Sequence, residues 1–152
     1  MSATDEVLAQ LSPALRKSVN LGSEVEYFRQ PLPSPTLTRA LNGGLPYGRQ
    51  SLIWGAKSAA KSSLCLQIVA MAQAEGKTAA WIDAEQSFDY NWAESLGVKT
   101  NELIYSEAKT TNDMANAGTS LMDAGIDVLV VDSISALLPA IYFEKDSTEL
   151  KN

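Results

Sequence analysis

The sequence contains no histidine and a single cysteine, Cys65. These shortages exclude Ser-His-Asp and Cys-His catalysis, histidine metal sites, cysteine-cluster zinc and any disulfide framework within the chain. Positive charge is also scarce: 12 Lys and Arg stand against 18 Asp and Glu, for a formal charge of -6. The net field therefore does not attract nucleic acid or anionic membrane, and any DNA contact must be local. No apolar run approaches the roughly 20 residues that span a bilayer, and the N-terminal residues lack the basic, apolar, small-residue order of a signal peptide. A cytoplasmic protein without membrane contact is expected. No internal repeat or low-complexity tract is present. Catalysis, if any, must use carboxylates, hydroxyls and lysine.

What is present suffices for one globular domain or most of one: 152 residues, 45% of them hydrophobic. Residues 5–20 carry Leu8, Leu11 and Leu15 at helical spacing, and Pro13 makes them one kinked helix or two short ones. Residues 30–35 hold Pro31, Pro33 and Pro35, which argues against both helix and paired strand and reads as a linker with a boundary near residue 35. A helical element on such a tether suits packing on another subunit or on its own domain, and composition does not decide between them.

From residue 36 onward, strand and helix patterns alternate. Strands are expected at 50–54, 78–83, 103–105 and 127–132. Helices are expected at about 61–74, 90–96 and 112–124, each followed by a glycine (Gly76, Gly97, Gly125) able to end it. The β-branched run at 128–131 is of the kind buried on both faces of a parallel sheet. The pattern predicts an α/β fold with helices covering a mostly parallel sheet.

Gly55-Ala56-Lys57-Ser58-Ala59-Ala60-Lys61-Ser62-Ser63 lies between a predicted strand and a predicted helix. It fits the Walker A pattern except at Ala60, where the pattern asks for glycine. A polyphosphate site needs a tight loop of inward N–H groups, a helix N-terminus behind them, a lysine on the terminal phosphates and a hydroxyl for Mg²⁺. Lys61 and Ser62 supply the last two. The competing reading is a Ser/Ala-rich turn with an incidental lysine. Asp132 weighs toward the first, because it ends an apolar strand at the carboxyl edge, where ligands of such sheets bind and an Asp can hold the water shell of Mg²⁺. Glu85 follows the 78–83 strand to the same edge and is the best placed acid to orient a water in line with a terminal phosphate. Its alternative is a solvated loop acid. Asp132 is followed by Ser133, so the base that other phosphate-loop classes carry beside that Asp is missing.

These residues resemble the RecA-type recombinases, and more particularly their phage-encoded branch. Gly43-Gly44-Leu45-Pro46-Tyr47-Gly48-Arg49 resembles the family's segment leading into the first core strand. Ile82-Asp83-Ala84-Glu85 resembles its catalytic-glutamate motif, and Val130-Val131-Asp132-Ser133 its Walker B strand. The likeness runs from about Thr36 to Pro139. It implies a RecA-like core that binds ATP and Mg²⁺, forms filaments on single-stranded DNA and carries out homologous pairing and strand exchange. Phosphates and Mg²⁺ would fall to the 55–63 loop, with Lys61 and Ser62 foremost, water activation to Glu85 and the metal shell to Asp132. Adenine contacts would fall on Asp89 and Trp92, the latter also readable as an aromatic anchor for a short helix.

Residues 1–35 would correspond to the polymerisation element and its linker, and residues 36–152 to a partial ATPase core. The chain stops at Asn152, where the family's first DNA-binding loop would lie, so the resemblance implies an N-terminal fragment in which turnover is uncertain and single-stranded DNA binding weak or absent. Beyond Asp132 it offers only Lys145 and Lys151 among Glu144, Asp146 and Glu149. Two other classes are weighed: a non-hydrolysing interaction module that docks on a full-length recombinase, and a RecA-fold ATPase of a helicase or motor.

Overall fold

The computed structural model describes residues 2–19 and 28–137. Six α-helices and five β-strands occur among them: α1 (Ala3–Gln10), α2 (Pro13–Arg16), β1 (Arg29–Gln30), α3 (Pro35–Ala40), β2 (Leu45–Pro46), α4 (Lys61–Ala74), β3 (Ala79–Asp83), α5 (Tyr90–Ser95), β4 (Leu103–Glu107), α6 (Thr111–Asp123) and β5 (Val128–Asp132). The expected α/β class is observed. β3, β4 and β5 form a parallel sheet in the order β4-β3-β5, in register from Ala79 opposite Leu103 and Val128 to Asp83 opposite Glu107 and Asp132.

All five residues of β3 are buried. Its small Ala79 and Ala80 let helices approach, while Trp81 and Ile82 fill the two sides. Leu66 and Val69 of α4 join Trp81, Ala93 and Val98 on one face, and Ile82 joins Ala108 and Leu137 on the other, with Ala117 and Leu121 of α6 beside them. Burying a side chain such as Val69 or Ile82 contributes about 1.5–3 kcal/mol. Gln73 is buried on α4 and satisfied: its amide donates to the Lys99 carbonyl at 3.0 Å and accepts the Lys99 N–H at 2.9 Å. A reciprocal capping box between Thr110 and Asp113 starts α6 and holds the Asp113 carboxyl below its usual range. Gly76, Gly97 and Gly125 follow α4, α5 and α6 with positive φ, as expected of helix-ending glycines. At the amino edge of the sheet, Asp127 Oδ2 accepts from both the backbone N–H and the hydroxyl of Thr78, each at 2.8 Å, and the Asp127 N–H donates back to Thr78 Oγ1 at 3.2 Å.

Several expectations need correction. Residues 50–54 form no strand: Leu52 is 77% and Trp54 85% exposed. Among the described residues nothing pairs with β5 on the side away from β3, and an extended segment without a ladder partner is not a strand. β5 is accordingly an edge, half-buried throughout, and the run buried on both faces is β3. The proline-rich stretch is also more ordered than a tether. Gln30 pairs with Leu45 in the antiparallel β1–β2 pair, Gln30 and Leu32 are buried, and Pro35 opens α3, where its missing N–H would have had no helical partner.

Gly44 lets the two strands pair, because a Cβ there would lie 1.9 Å from the Gln30 carbonyl oxygen. Tyr47 ties this strand pair to the body, donating to Gln30 Oε1 while Lys77 Nζ lies 2.6 Å from its hydroxyl and 4.4 Å from its ring centroid. The N-terminal segment is two short helices, the second of the two alternatives allowed at Pro13, and neither buries a residue. Among the described residues no helix is long and apolar enough to cross a membrane.

Candidate functional site

The 55–60 segment turns sharply before α4. Ser58 and Ala60 both adopt left-handed backbone, with φ of 60° and 58°. Ala60 is the residue preceding the helix, so the position where the Walker A pattern wants glycine is the one whose conformation disfavours a Cβ. No side chain caps α4, leaving the N–H groups of its first turn available to an anion. Residues 58–63 line a cavity of about 340 Å³. Lys61 Nζ folds back onto the carbonyls of Gly55 and Ala56, at 3.2 and 2.9 Å, while Lys57 is exposed within the turn. Ser62, in the first turn of α4, is exposed and Ser63 half-buried.

The loop after β3 is built differently. Asp83, only 1% exposed, accepts the N–H of Glu85 on Oδ1 at 3.1 Å and those of Ser87 and Phe88 on Oδ2, both at 2.9 Å. The Tyr105 hydroxyl adds a fourth bond to Oδ2 at 3.1 Å. Burial, aided by that carboxylate, pushes the Tyr105 phenol up to about 12, so it remains a donor at physiological pH. Gln86 adopts φ of 54°, a left-handed turn residue held by these contacts. The Ala84 N–H donates to the Asp132 carbonyl at 2.7 Å, which ties this loop to the end of β5. Glu85 is exposed, and one of its carboxylate oxygens accepts the Ser133 hydroxyl at 2.8 Å.

Asp132 ends β5 level with Asp83. Its charge reaches α4: the Cys65 thiol is pushed up to about 11, first by burial and then by Asp132. Trp92 Nε1 donates to Ser63 Oγ at 3.2 Å, which brings this ring to the start of α4, and it remains 49% exposed. Asp89 caps α5 by accepting the Trp92 N–H at 3.0 Å. Among the described residues no group of three or more His, Cys, Asp or Glu could hold a metal ion. A site for Mg²⁺ would therefore rely on one hydroxyl, one carboxylate, phosphate oxygens and water, a donor set that suits this ion. Sequence reasoning missed the supporting roles of Asp83, Tyr105, Ser133 and Ser63. Only Asp83 leaves a local signal, an Asp at a strand end before a turn, where its side chain can take nearby N–H groups.

Fold and site together define an α/β domain with a phosphate-type loop at the mouth of a helix and acidic residues at the carboxyl edge of a parallel sheet. The sequence profile of the RecA N-terminal domain family matches residues 17–151, and the chain belongs to that family. It is similar to the protein RecA of Bdellovibrio bacteriovorus, 44% identical over 105 residues that cover 68% of this chain and 28% of that protein. Against the protein RecA of Bifidobacterium longum it is 38% identical over 149 residues, covering 94% and 38%. For the protein RecA of Mycolicibacterium vanbaalenii the identity is 39% over 151 residues, covering 93% and 42%. The chain thus spans 28% to 42% of the length of these relatives. All three are bacterial proteins and give no support to the phage-encoded branch.

Proposed function

We propose that this chain carries the front part of the ATP-binding core of a homologous DNA recombinase of the bacterial cytoplasm. The observation that carries the reading is the 55–63 loop, left-handed at Ser58 and Ala60 and opening onto an uncapped α4, in a chain matched by the RecA N-terminal domain profile. In this reading the first-turn N–H groups of α4 and the Lys61 ammonium bind the phosphates, Lys61 leaving the carbonyls of Gly55 and Ala56 to do so. Ser62 and Asp132 would hold Mg²⁺, which when bound neutralises phosphate charge. Glu85 would orient a water toward the terminal phosphate, and Trp92, with an exposed face beside Ser63, would stack on adenine next to Asp89.

Residues 1–35 are assigned to self-association and 36–152 to part of the ATPase core. The unburied α1 and α2, with Val7 62% and Leu15 49% exposed, support a partner for that region. The intact protein would assemble on single-stranded DNA. The acidic segment around Lys145 and Lys151, on which the expectation of weak binding by this chain rests, lies outside the described residues. Lys61→Ala is expected to abolish Mg²⁺-ATP binding in calorimetry while circular dichroism stays unchanged. Equal affinity in the two proteins would overturn the assignment.

A further inference from the structure

In other phosphate-loop classes the residue after the Walker B aspartate can itself be the water-activating acid; here that position is Ser133, and its hydroxyl lies 2.8 Å from Glu85 Oε1. The acid comes from the end of β3 and the hydroxyl from the end of β5, adjacent parallel strands whose last residues, Asp83 and Asp132, stand side by side. We propose that Ser133 is a positioning residue for Glu85, fixing its carboxylate at the carboxyl edge of the sheet beside Asp132. The inference rests on the reading of Glu85 as the water-orienting carboxylate.

Hydrogen bookkeeping gives the contact a direction. A serine hydroxyl has one proton, and a carboxylate only accepts. Ser133 Oγ is also 2.9 Å from Ser135 Oγ. With the Ser133 proton on Glu85, Ser135 must donate to Ser133, so the bonds run Ser135 to Ser133 to Glu85 and polarise one another along the chain.

The backbone of Glu85 is fixed independently by its N–H on Asp83 and by the neighbouring Ala84 N–H on the Asp132 carbonyl. Two anchors hold the main chain and one holds the carboxylate, so β5 contributes to both the proposed metal-side acid and the direction of the proposed base. Gln86, with its φ of 54°, is the strained residue that such over-determination sustains at a functional turn.

The test uses the full chain with Mg²⁺-ATP and five proteins: wild type, Ser133→Ala, Ser133→Thr, Glu85→Gln and the Ser133→Ala/Glu85→Gln double variant. The ¹³C carboxyl resonance of Glu85, assigned by its loss in Glu85→Gln, is expected to move in Ser133→Ala and to return toward wild type in Ser133→Thr, which restores the hydroxyl. In single-turnover hydrolysis, Ser133→Ala is expected to slow the chemical step about tenfold with ATP affinity unchanged, as loss of orientation does. In the Glu85→Gln background the same change should cost nothing further. A Glu85 resonance unmoved in Ser133→Ala, or losses that multiply in the double variant, would overturn the inference. Absence of ATP binding by wild type would instead defeat the assignment of the nucleotide site, and the resonance would still decide whether Ser133 holds Glu85. Ser133→Cys, close in volume and a far weaker donor, replaces the alanine variant if that fails to fold.

Discussion

The loop after β3 and the loop before α4 carry the two halves of the proposed site, and they are built in opposite ways. The first is over-determined: Asp83 takes four hydrogen bonds, β4 lends Tyr105, β5 lends the Asp132 carbonyl, and Ser133 just beyond it lends a hydroxyl. The second is exposed, uncapped and left-handed at two non-glycine residues, and it follows a segment without a strand partner among the described residues. A group that orients water gains from being fixed before its substrate arrives, because reorganisation then costs nothing at the moment of reaction. A phosphate-binding loop must instead leave the N–H groups at its helix mouth for the ligand, and here Lys61 meanwhile rests on the loop's own carbonyls. One half is prebuilt and the other waits.

The comparison breaks most visibly at Asp83. Asp83→Ala removes the buried acceptor of three backbone N–H groups and of the Tyr105 hydroxyl, and should cost about 3 kcal/mol or more in urea denaturation. Asp83→Asn, which keeps an acceptor oxygen, should cost less. A loss under about 1 kcal/mol for the alanine variant would mean that the loop is not clamped. In the open half the largest effect has the opposite sign. Ala60→Gly removes a Cβ from a left-handed residue and should stabilise the chain by about 1 kcal/mol in the same assay, and a destabilisation would contradict the left-handed turn.

Smaller still, Leu52→Ser and Trp54→Ser should change stability by no more than about 0.5 kcal/mol, since both side chains are exposed. A loss of 2 kcal/mol or more would show that residues 51–54 pack in solution. The smallest effect joins the two halves. Cys65 should alkylate slowly at pH 8, because its thiol is pushed up to about 11 and little of it is thiolate. Asp132→Asn should shift its pH–rate curve slightly downward, only slightly because burial is the larger cause. An unchanged curve would place Asp132 too far from α4 to act with the phosphate loop.

Much of the α/β alternation was legible because it rests on local signals. The glycines at 76, 97 and 125 end α4, α5 and α6, and apolar runs at 79–83 and 128–132 mark strands. The expected boundaries of α4 and α5 differ from the observed ones by no more than a residue. Strand 50–54 failed because a strand is a property of its neighbour as much as of its own residues, and β5 received a double-buried environment that belongs to the central strand. The strand pair at Gln30 was hidden behind Pro31: a proline biases the residue before it to extended backbone but does not say what that residue pairs with. At the site, Glu85, Lys61 and Asp132 could be named from strand ends and a loop motif. Ser133 and Tyr105 could not, because their partners lie 48 and 22 residues away in sequence and meet only through sheet order.

The exchange between Thr78 and Asp127 lies at the opposite end of the sheet from this chemistry, yet it sets the zero of two rulers. From there β3 counts five residues to Asp83 and β5 five to Asp132, so equal lengths measured from one clasp bring the two acids level. A one-residue insertion in either strand would carry its terminal acid about 3.3 Å further and turn it to the other side of the sheet. The segment between α6 and the clasp carries no such count, and Gly125 within it could be followed by an extra residue at little cost. Tolerance to insertion in this protein should therefore change abruptly at Asp127, with length free before it and fixed after it as far as Asp132.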